Sequence, residues 1–395
     1  MAVNISQFSN VDKIFLKGFL KNLFSDPLQI EFWDGEVENY GNGDAKFKLI
    51  FHEPISKTDI VKDPSMTFGE AYMTRKIDID GSLEDVVASL YNNKESFLHT
   101  HTQLAKLGMI LSNSLKKSKE NIRHHYDIGN DFYRLWLDET LTYSCAYFKS
   151  PNDSLAKAQR NKIEHTLKKL GLSEGDALLD IGCGWGELIL TAAKEYHVKA
   201  TGITLSTEQY KKVQERIKAE NLQNHVDVQL IDYRELKNQK FDRVVSIGMV
   251  EHVGKNHLDE YFTVVNQLLN EGGVSLLHCI TSIEDGATNS WIDKYIFPGG
   301  YIPAMKELVR LMADHRNYLL DVESLRRHYG KTLEHWAKNF ENALPEIRKT
   351  KDETFIRMWR LYLNSCAASF NCGNIDIHQF LFSKGVNNTL PWVRA

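Results

Sequence analysis

The stretch Leu178-Leu179-Asp180-Ile181-Gly182-Cys183-Gly184-Trp185-Gly186 decides the fold. In this stretch a strand of the buried type ends at an acidic residue, and glycines lead into the helix that follows. Glycine lets the backbone approach a ligand closely and adopt positive φ. The G-x-G-x-x-G spacing of a dinucleotide loop is absent, because the third glycine comes two residues after the second. The coincidence of an acid, glycines and a flanking strand also argues against a plain turn.

The elements around this loop alternate between strands and helices. Strands are predicted at residues 177–181, 198–202, 226–230, 243–247 and 274–280. Helices are predicted between them at residues 187–196 and 206–221. Alternation of this kind predicts an α/β domain whose mostly parallel sheet is covered by helices on both faces.

A helix is predicted near the start of the chain, at residues 11–24. Lys13, Lys17 and Lys21 recur every four residues on the side opposite its apolar face. Two interpretations remain open for them. The lysines either face the anionic head groups of a lipid surface, or they belong to an ordinary helix that packs on its own domain.

The same region contains strand and turn signals. Strands are predicted at residues 28–33 and 46–51, and a helix at residues 83–91. They form a small α+β unit without a recognisable catalytic motif. We place its boundary in the polar stretch from Ser112 to Glu120, which divides the chain into units at 1–115 and 116–395.

Length and composition limit the class of protein. The 395 residues predict more than one domain, and 42% apolar with 25% charged residues is typical of a soluble globular protein. No apolar run is long enough to span a membrane, and Met1 to Asn10 shows no signal peptide. Five scattered cysteines without a C-x-x-C pair predict neither a disulfide scaffold nor a metal site, which fits the cytoplasm. The net charge of -4 gives no support for nucleic-acid binding.

The D-x-G-x-G-x-G loop resembles that of class I S-adenosylmethionine-dependent methyltransferases, which have a Rossmann-like fold. The resemblance implies that S-adenosyl-L-methionine binds beside the residues of the loop, Asp180, Gly182, Cys183, Gly184 and Gly186. Many related folds end the second strand with an acid that binds ribose, but none stands there. Thr204 and Gln209 are candidates instead. Asp232 and Tyr233 suit adenine, since a carboxylate accepts its amino group and a ring stacks on it.

An ordered series of short motifs narrows the resemblance. The motifs are His124-His125-Tyr126-Asp127-Ile128-Gly129-Asn130, Tyr143-Ser144-Cys145-Ala146-Tyr147, Gly248-Met249-Val250-Glu251-His252, His278-Cys279-Ile280, Phe297-Pro298-Gly299-Gly300, His328-Tyr329-Gly330 and Asn364-Ser365-Cys366-Ala367. Together they resemble the cyclopropane fatty acid synthases and the related mycolic acid cyclopropane synthases, from about residue 120 to the end of the chain. The first hundred residues resemble, more loosely, the extra lipid-handling domain of the phospholipid-acting branch.

The resemblance implies a role for each matching position. Tyr143 and Ser144 would contact S-adenosylmethionine. A bicarbonate ion beside the reactive methyl group would be held by Cys145, Glu251, His278, the backbone of Ile280, and Tyr329. The family's late cysteine matches Cys366, for which an active-site role and a small core residue remain equal alternatives.

The implied reaction adds a methylene group to the cis double bond of a phospholipid acyl chain. Alignment of alkene, methyl and sulfur would supply much of the rate. A carbocation follows, which bicarbonate would deprotonate so that a cyclopropane ring closes. Tyr126, Tyr147 and Phe297 would shield the cation from water. A helical insertion at about 290–320 would form either an acyl channel or a plain core under a lid.

The substrate implies a partner and a location. An unsaturated phospholipid demands peripheral contact with the inner face of the membrane, and the resemblance alone implies a homodimer. Three rival functions remain: an enzyme of the same fold that releases an open-chain methylated, methylene or hydroxylated product, a lipid-binding protein without turnover, and a small-molecule methyltransferase.

Overall fold

The computed structural model describes residues 10–94, 96, 98, 128–284 and 288–392. The predicted boundary stretch from Ser112 to Glu120, and the start of the first motif with Tyr126, lie outside the described residues. No helix in the described ranges combines the length and apolar character that crossing a bilayer requires.

The N-terminal unit is a four-stranded sheet with helices packed on it. Its elements are α1 (Asn10–Lys21), β1 (Leu28–Glu31), β2 (Val37–Tyr40), β3 (Phe47–Phe51), α2 (Lys57–Lys62), α3 (Pro64–Met73), β4 (Ile77–Asp80) and α4 (Leu83–Asn92). The sheet order is β2-β1-β3-β4, with β1 and β3 parallel. Strand β2 was not predicted, because V-E-N-Y has only two apolar residues and neither is buried.

Two of the lysines of α1 face their own domain. Lys17 pairs with Glu36 and Glu38 of the β1–β2 hairpin at 2.6 and 2.8 Å, and Lys13 pairs with Asp34 and Glu36. Two of the three lysines therefore contribute to packing within the unit, which favours the second interpretation of this helix.

The catalytic unit is built on a seven-stranded sheet. Its elements are α5 (Asn130–Arg134), α6 (Leu155–Leu170), β5 (Ala177–Ile181), α7 (Glu187–Tyr196), β6 (Lys199–Thr204), α8 (Thr207–Ala219), β7 (Val226–Leu230), β8 (Phe241–Ile247), α9 (Leu258–Leu268), β9 (Leu269–Thr281), α10 (Ser290–Tyr295), α11 (Met305–Asp314), β10 (Asn317–Ser324), α12 (Arg326–Asn342), α13 (Leu344–Ile347), α14 (Glu353–Asn371) and β11 (Asp376–Lys384). The predicted α/β class is confirmed.

The strand order is β10-β11-β9-β8-β5-β6-β7. From β9 to β7 all neighbours are parallel, whereas β11 runs antiparallel to both β9 and β10. Separate apolar clusters cover the two faces, one under α9 and α11 and the other under α7 and α8. The carboxyl ends of β5, β6, β7 and β8 therefore meet at one edge of the sheet, where ligands of open α/β sheets bind.

The insertion predicted as helical at 290–320 is only partly so. Helices α10 and α11 occupy most of it, but the chain turns into strand β10 at Asn317. The prediction was wrong there because β10 has no alternating apolar pattern of its own. It lies at the edge of the sheet and is held by its antiparallel ladder with β11.

The two units are closely packed against each other. Arg357 of α14 donates to the carbonyl oxygens of Tyr72 and Ile77 and pairs with Asp78 at 2.8 Å. Gly69 of α3 lies against the indole of Trp291, where an added Cβ would collide with Cδ1. The N-terminal unit thus rests on the last long helix and on the insertion.

Candidate active site

The glycine loop leaves β5 in a conformation that needs glycine. Gly182, Gly184 and Gly186 have φ of 84°, 56° and 86°. An added Cβ at Gly186 would be 2.9 Å from a methyl group of Val213 in α8. Side chains rarely adopt such φ values, so the loop combines a left-handed backbone with a close approach of two helices.

A cleft opens above this loop at the carboxyl ends of the parallel strands. All eleven positions predicted to bind the cofactor line it: Tyr143, Ser144, Asp180, Gly182, Cys183, Gly184, Gly186, Thr204, Gln209, Asp232 and Tyr233. Further lining residues that the sequence analysis did not single out include Lys162, Trp185, Arg234, Met249 and His252. The fold therefore brings the whole predicted cofactor set to one place.

Thr204 and Gln209 form a buried pair in the cleft. The Thr204 hydroxyl donates to Oε1 of Gln209 at 2.7 Å, and Ser206 caps α8 between them. The strand end without an acid thus carries a hydrogen-bonded hydroxyl and amide.

Asp232 is not a free carboxylate. Its two oxygens accept hydrogen bonds from Nε and Nη2 of Arg234 at 2.8 and 2.9 Å. The Tyr233 ring packs edge-on against Tyr261 at 5.6 Å between centroids. A ligand at this end of the cleft would therefore meet a fixed ion pair, and the carboxylate would be shared with Arg234.

The acidic end of β5 has an unusual electrostatic environment. Burial raises the pKa of Asp180 to about 7, and the nearby charge of Lys162 opposes that shift. Lys162 is itself 3% exposed, and its Nζ donates to Oγ of Ser144 at 3.1 Å. The signal that could have found this lysine is its place among Ile163, Thr166 and Leu167, on the apolar face of α6.

Glu251 follows β8 in a short 3₁₀ turn, Val250–His252. Its Oε1 accepts the backbone N–H of Ile280 at 2.8 Å. Its Oε2 is buried and has no hydrogen-bond partner within the described ranges. Burial raises the pKa of this carboxyl to about 7, and the Ile280 N–H lowers it in part. The group is thus poised to hold or release a proton near neutral pH.

His278 is fully buried in β9. Its Nδ1 accepts from the Gln379 amide at 3.2 Å, so the proton belongs on Nε2. Nε2 has no partner among the residues that the structure describes. Burial lowers the pKa of His278 to about 3, so the ring is neutral at physiological pH. It presents one unsatisfied N–H.

The remaining predicted catalytic positions adjoin an aromatic cluster. Tyr329 lies 4.6 Å from the Phe370 ring, and the Tyr143 and Tyr362 hydroxyls are 2.6 Å apart. The cluster also contains Cys145 and, packed against it, Ile280 and Cys366. The six positions Cys145, Glu251, His278, Ile280, Tyr329 and Cys366 do not line the cofactor cleft itself.

The two cysteines are thiols rather than thiolates. Burial raises the pKa of Cys366 to about 12. Burial likewise raises the pKa of Cys145 above its usual range, and its Sγ donates to the Ala146 carbonyl at 3.3 Å. Neither group is activated as a nucleophile, since that requires an ionised sulfur.

Tyr147 does not offer a free ring face. Its ring is stacked between His165 and His328, with centroids 4.3 and 4.6 Å away. The prediction that it shields a cation was wrong, because both faces are already covered. Phe297, in contrast, meets Tyr362 edge-on at 5.7 Å at the rim of the aromatic cluster.

The chain is similar to proteins of known families. A family model described as mycolic acid cyclopropane synthetase matches residues 113–380, and a domain family of unknown function matches residues 15–102. A probable fatty acid methyltransferase of Pseudomonas putida is 38% identical over 378 residues, covering 93% of this chain and 95% of that protein.

Two further proteins carry related names. The cyclopropane-fatty-acyl-phospholipid synthase of Escherichia coli strain K12 is 38% identical, covering 89% of this chain and 92% of that protein. Among solved structures, mycolic acid cyclopropane synthase CmaA1 complexed with SAH and CTAB is 36% identical with a TM-score of 0.64, covering 67% of this chain and 98% of that one.

Proposed function

We propose that this chain, which belongs to the mycolic acid cyclopropane synthetase family, acts on the cis double bond of a membrane phospholipid. The chain is an S-adenosylmethionine-dependent methyltransferase that forms cyclopropane rings on lipid acyl chains. The observation that supports the proposal most is the convergence of eleven cofactor positions on one cleft next to an aromatic cluster. The phospholipid follows the name of the Escherichia coli relative, which matches the N-terminal unit as well as the catalytic unit.

The residues that line the cleft would hold S-adenosylmethionine next to the aromatic cluster. The glycine loop allows close approach of the backbone, and Tyr143 connects the two sites, because it lines the cleft and bonds Tyr362 of the cluster. The chain's contribution at this point is orientation: the alkene, the methyl carbon and the sulfur must be in line for transfer.

The aromatic cluster would exclude water from the acyl chain. Its buried rings include Trp136, Trp336 and Tyr362. Methyl transfer to an isolated double bond leaves a carbocation, which water would convert to an alcohol. Rings attract a cation through their π faces, so a dry aromatic wall favours ring closure over hydroxylation.

We propose that a bicarbonate ion binds near Glu251 and His278. Buried polar atoms without partners are rare and call for a ligand or water. Within the described ranges Oε2 of Glu251 and Nε2 of His278 are such atoms. When bound, bicarbonate would supply the acceptor for the proton of the new methyl group.

The chain's own residues would set the position and charge of this ion. The neutral His278 would donate its Nε2–H, and Glu251 would share a proton because its pKa is about 7. The Tyr329 hydroxyl and the Ile280 backbone would complete the set. Cys366 is not needed as a nucleophile, since its thiol is protonated.

We propose that the N-terminal unit contacts the inner face of the membrane through exposed aliphatic side chains. Val11 and Ile14 of α1 are 60% and 68% exposed, and Val61 of α2 is 67% exposed. Helices α1 and α2 are in contact, so these residues lie on neighbouring helices. Since Lys13 and Lys17 are paired within the unit, apolar insertion rather than lysine attraction would dominate the contact.

Vesicles of a cis-monounsaturated phospholipid, incubated with the protein and S-adenosylmethionine, test the activity. A gain of one methylene unit in the acyl chains, with upfield ring protons in the proton spectrum, is the expected result. Methylated chains without ring protons would support instead an open-chain methyltransferase. No methylated chain, despite measured cofactor binding, would contradict both. We also propose that the protein is a homodimer. Sedimentation equilibrium tests this, because it measures the molecular mass in solution.

The membrane contact has its own test. Ile14→Glu combined with Val61→Glu should reduce cosedimentation with the vesicles, whereas Lys21→Glu, which changes charge on the same helix without removing an aliphatic group, should reduce it less. Equal effects of the two changes would contradict apolar insertion.

A further inference from the structure

Lys162 is a buried cation without a counter-ion. It lies in the middle of α6, is 3% exposed and lines the cofactor cleft. Its one described hydrogen bond goes to the Ser144 hydroxyl, which is neutral. No carboxylate in the described part of the chain lies within ion-pair distance of its Nζ.

A second lysine on the same helix shows what such a group ordinarily requires. Lys169, seven residues later, is 4% exposed. Its Nζ pairs with Asp321 at 2.6 Å and with Glu323 at 2.8 Å. Removing an ammonium from water costs several kcal/mol unless charged partners compensate. Lys169 has such partners within the chain, and Lys162 does not.

The acids nearest to Lys162 do not compensate for its burial. Burial lowers the pKa of Lys162, while the more distant charges of Asp138 and Asp180 oppose the shift. Asp138 is engaged by the backbone N–H groups of Thr140 and Thr142. Asp180 has a pKa of about 7 and so carries only part of a negative charge at neutral pH. Lys162 thus has no fully charged partner of its own beside Ser144 within the described ranges.

We propose that Lys162 is the counter-ion of the carboxylate of S-adenosylmethionine. Because Oγ of Ser144 accepts from Lys162, the Ser144 O–H is left to donate, and both donors can reach one anion. The inference rests on the proposed cofactor site and adds a residue to it. Bicarbonate is the other small carboxylate-type anion of the reaction, but its proposed holders lie outside the cleft that Lys162 lines.

Calorimetric titration of the full chain tests the contact, with S-adenosylmethionine and its decarboxylated analogue as ligands. Lys162→Met should weaken binding of S-adenosylmethionine roughly 10- to 100-fold, the usual worth of a hydrogen bond to a charged group. Binding of the decarboxylated analogue should stay within about 3-fold of wild type, since it lacks the group that Lys162 would contact. Lys168→Met, an exposed lysine on the same helix, should leave both affinities unchanged.

Three results would overturn the assignment. Equal weakening for the two ligands would mean that Lys162 acts through the fold, and unchanged binding would mean that it makes no contact. A raised bicarbonate requirement with unchanged S-adenosylmethionine affinity would move the ion pair to bicarbonate. Lys162→Gln, which keeps a polar group, repeats the comparison if the methionine variant does not fold. Wild type that fails to bind S-adenosylmethionine would contradict the proposed cofactor site itself, together with this inference.

Discussion

Glu251 Oε1 accepts a hydrogen bond from the backbone N–H of Ile280 at the point where the ladder between β8 and β9 ends. Gly248 makes the last backbone contact, donating to the His278 carbonyl at 2.8 Å. The carboxylate takes the next N–H, at 2.8 Å. A side chain thereby continues the sheet, and its second oxygen remains available for chemistry.

Glu251→Gln should strongly reduce turnover while leaving cofactor binding intact. The amide can still accept from Ile280, but it cannot exchange a proton, so we expect a loss of about 100-fold or more in acyl-chain cyclopropanation. Affinity for S-adenosylmethionine should change by less than about 2-fold, since Glu251 does not line the cleft. Glu174→Gln, at an exposed site between α6 and β5, is the control. Full activity of the Glu251 variant would rule out its role.

The same variant should change the pH dependence of stability. Burial raises the pKa of Glu251 from 4.5 to about 7. Between these values the folded chain keeps a proton that the unfolded chain releases. The contribution of Glu251 to the free energy of unfolding is therefore full below pH 4.5 and falls as pH rises through 7. Relative to wild type, Glu251→Gln should gain about 1–3 kcal/mol between acid and mildly alkaline pH, measured by urea unfolding. A pH-independent difference would contradict the shift.

Gly186→Ala should destabilise the cofactor loop more than strain alone explains. Gly175 has the same φ of 86°, but an added Cβ there meets no atom within 4 Å, whereas at Gly186 it meets Val213 at 2.9 Å. We expect about 1 kcal/mol of destabilisation for Gly175→Ala and about 2–4 kcal/mol for Gly186→Ala, from denaturant midpoints. Similar values would mean that Val213 moves aside.

Gly69→Ala should loosen the contact between the two units. The new methyl group would collide with the Trp291 indole, which lies in α10 and precedes the Phe297–Tyr301 segment. Tyr301 donates its N–H to the Glu251 carbonyl at 2.8 Å, so displacement should also lower activity. We expect about 1–3 kcal/mol of lost stability. Gly18→Ala, in open space on α1, should instead be neutral or stabilising.

Cys366→Ala should retain cyclopropanation within a few-fold of wild type. Its thiol has a pKa of about 12 because it is buried, so no thiolate is present at neutral pH. The expected defect is a small loss of packing in α14, visible in the melting temperature. Loss of activity with unchanged cofactor affinity and stability would restore an active-site role for this residue.

Parts of the sheet could be predicted from the sequence wherever the local pattern of apolar and polar residues agrees with the observed element. The strands at 177–181 and 226–230 and the helix at 187–196 match the observed bounds, because apolar runs alternate with glycine and polar breaks. Four strands were not predicted. Strands β2, β4 and β10 are edge strands, each of which owes its conformation to a neighbour, whereas β11 lies inside the sheet and was missed although its residues are buried. The side chains of β2 and β10 show little of the alternating apolar pattern that predicts a strand.

The residues of the cofactor cleft were easier to predict from the sequence than the environments of Lys162, Glu251 and His278. Its residues follow the carboxyl ends of successive strands. Because the carboxyl ends of parallel strands lie at one edge of the sheet, these residues are close together in the fold. Lys162 was missed because a lysine on a helix is ordinarily solvated, and its burial depends on the packing of α6 over the sheet. The orphaned Oε2 of Glu251 and the tautomer of His278 depend on contacts with residues far away in the chain.

The position of Arg357 implies that the catalytic unit of this chain is not self-sufficient. Among the described residues, the polar partners of its guanidinium all belong to the N-terminal unit. They are the carbonyl groups of Tyr72 and Ile77 and the carboxylate of Asp78. A chain shortened to the length of the mycolic acid synthases would retain a cation whose acceptors had been removed, and the Trp291 indole would lose its cover.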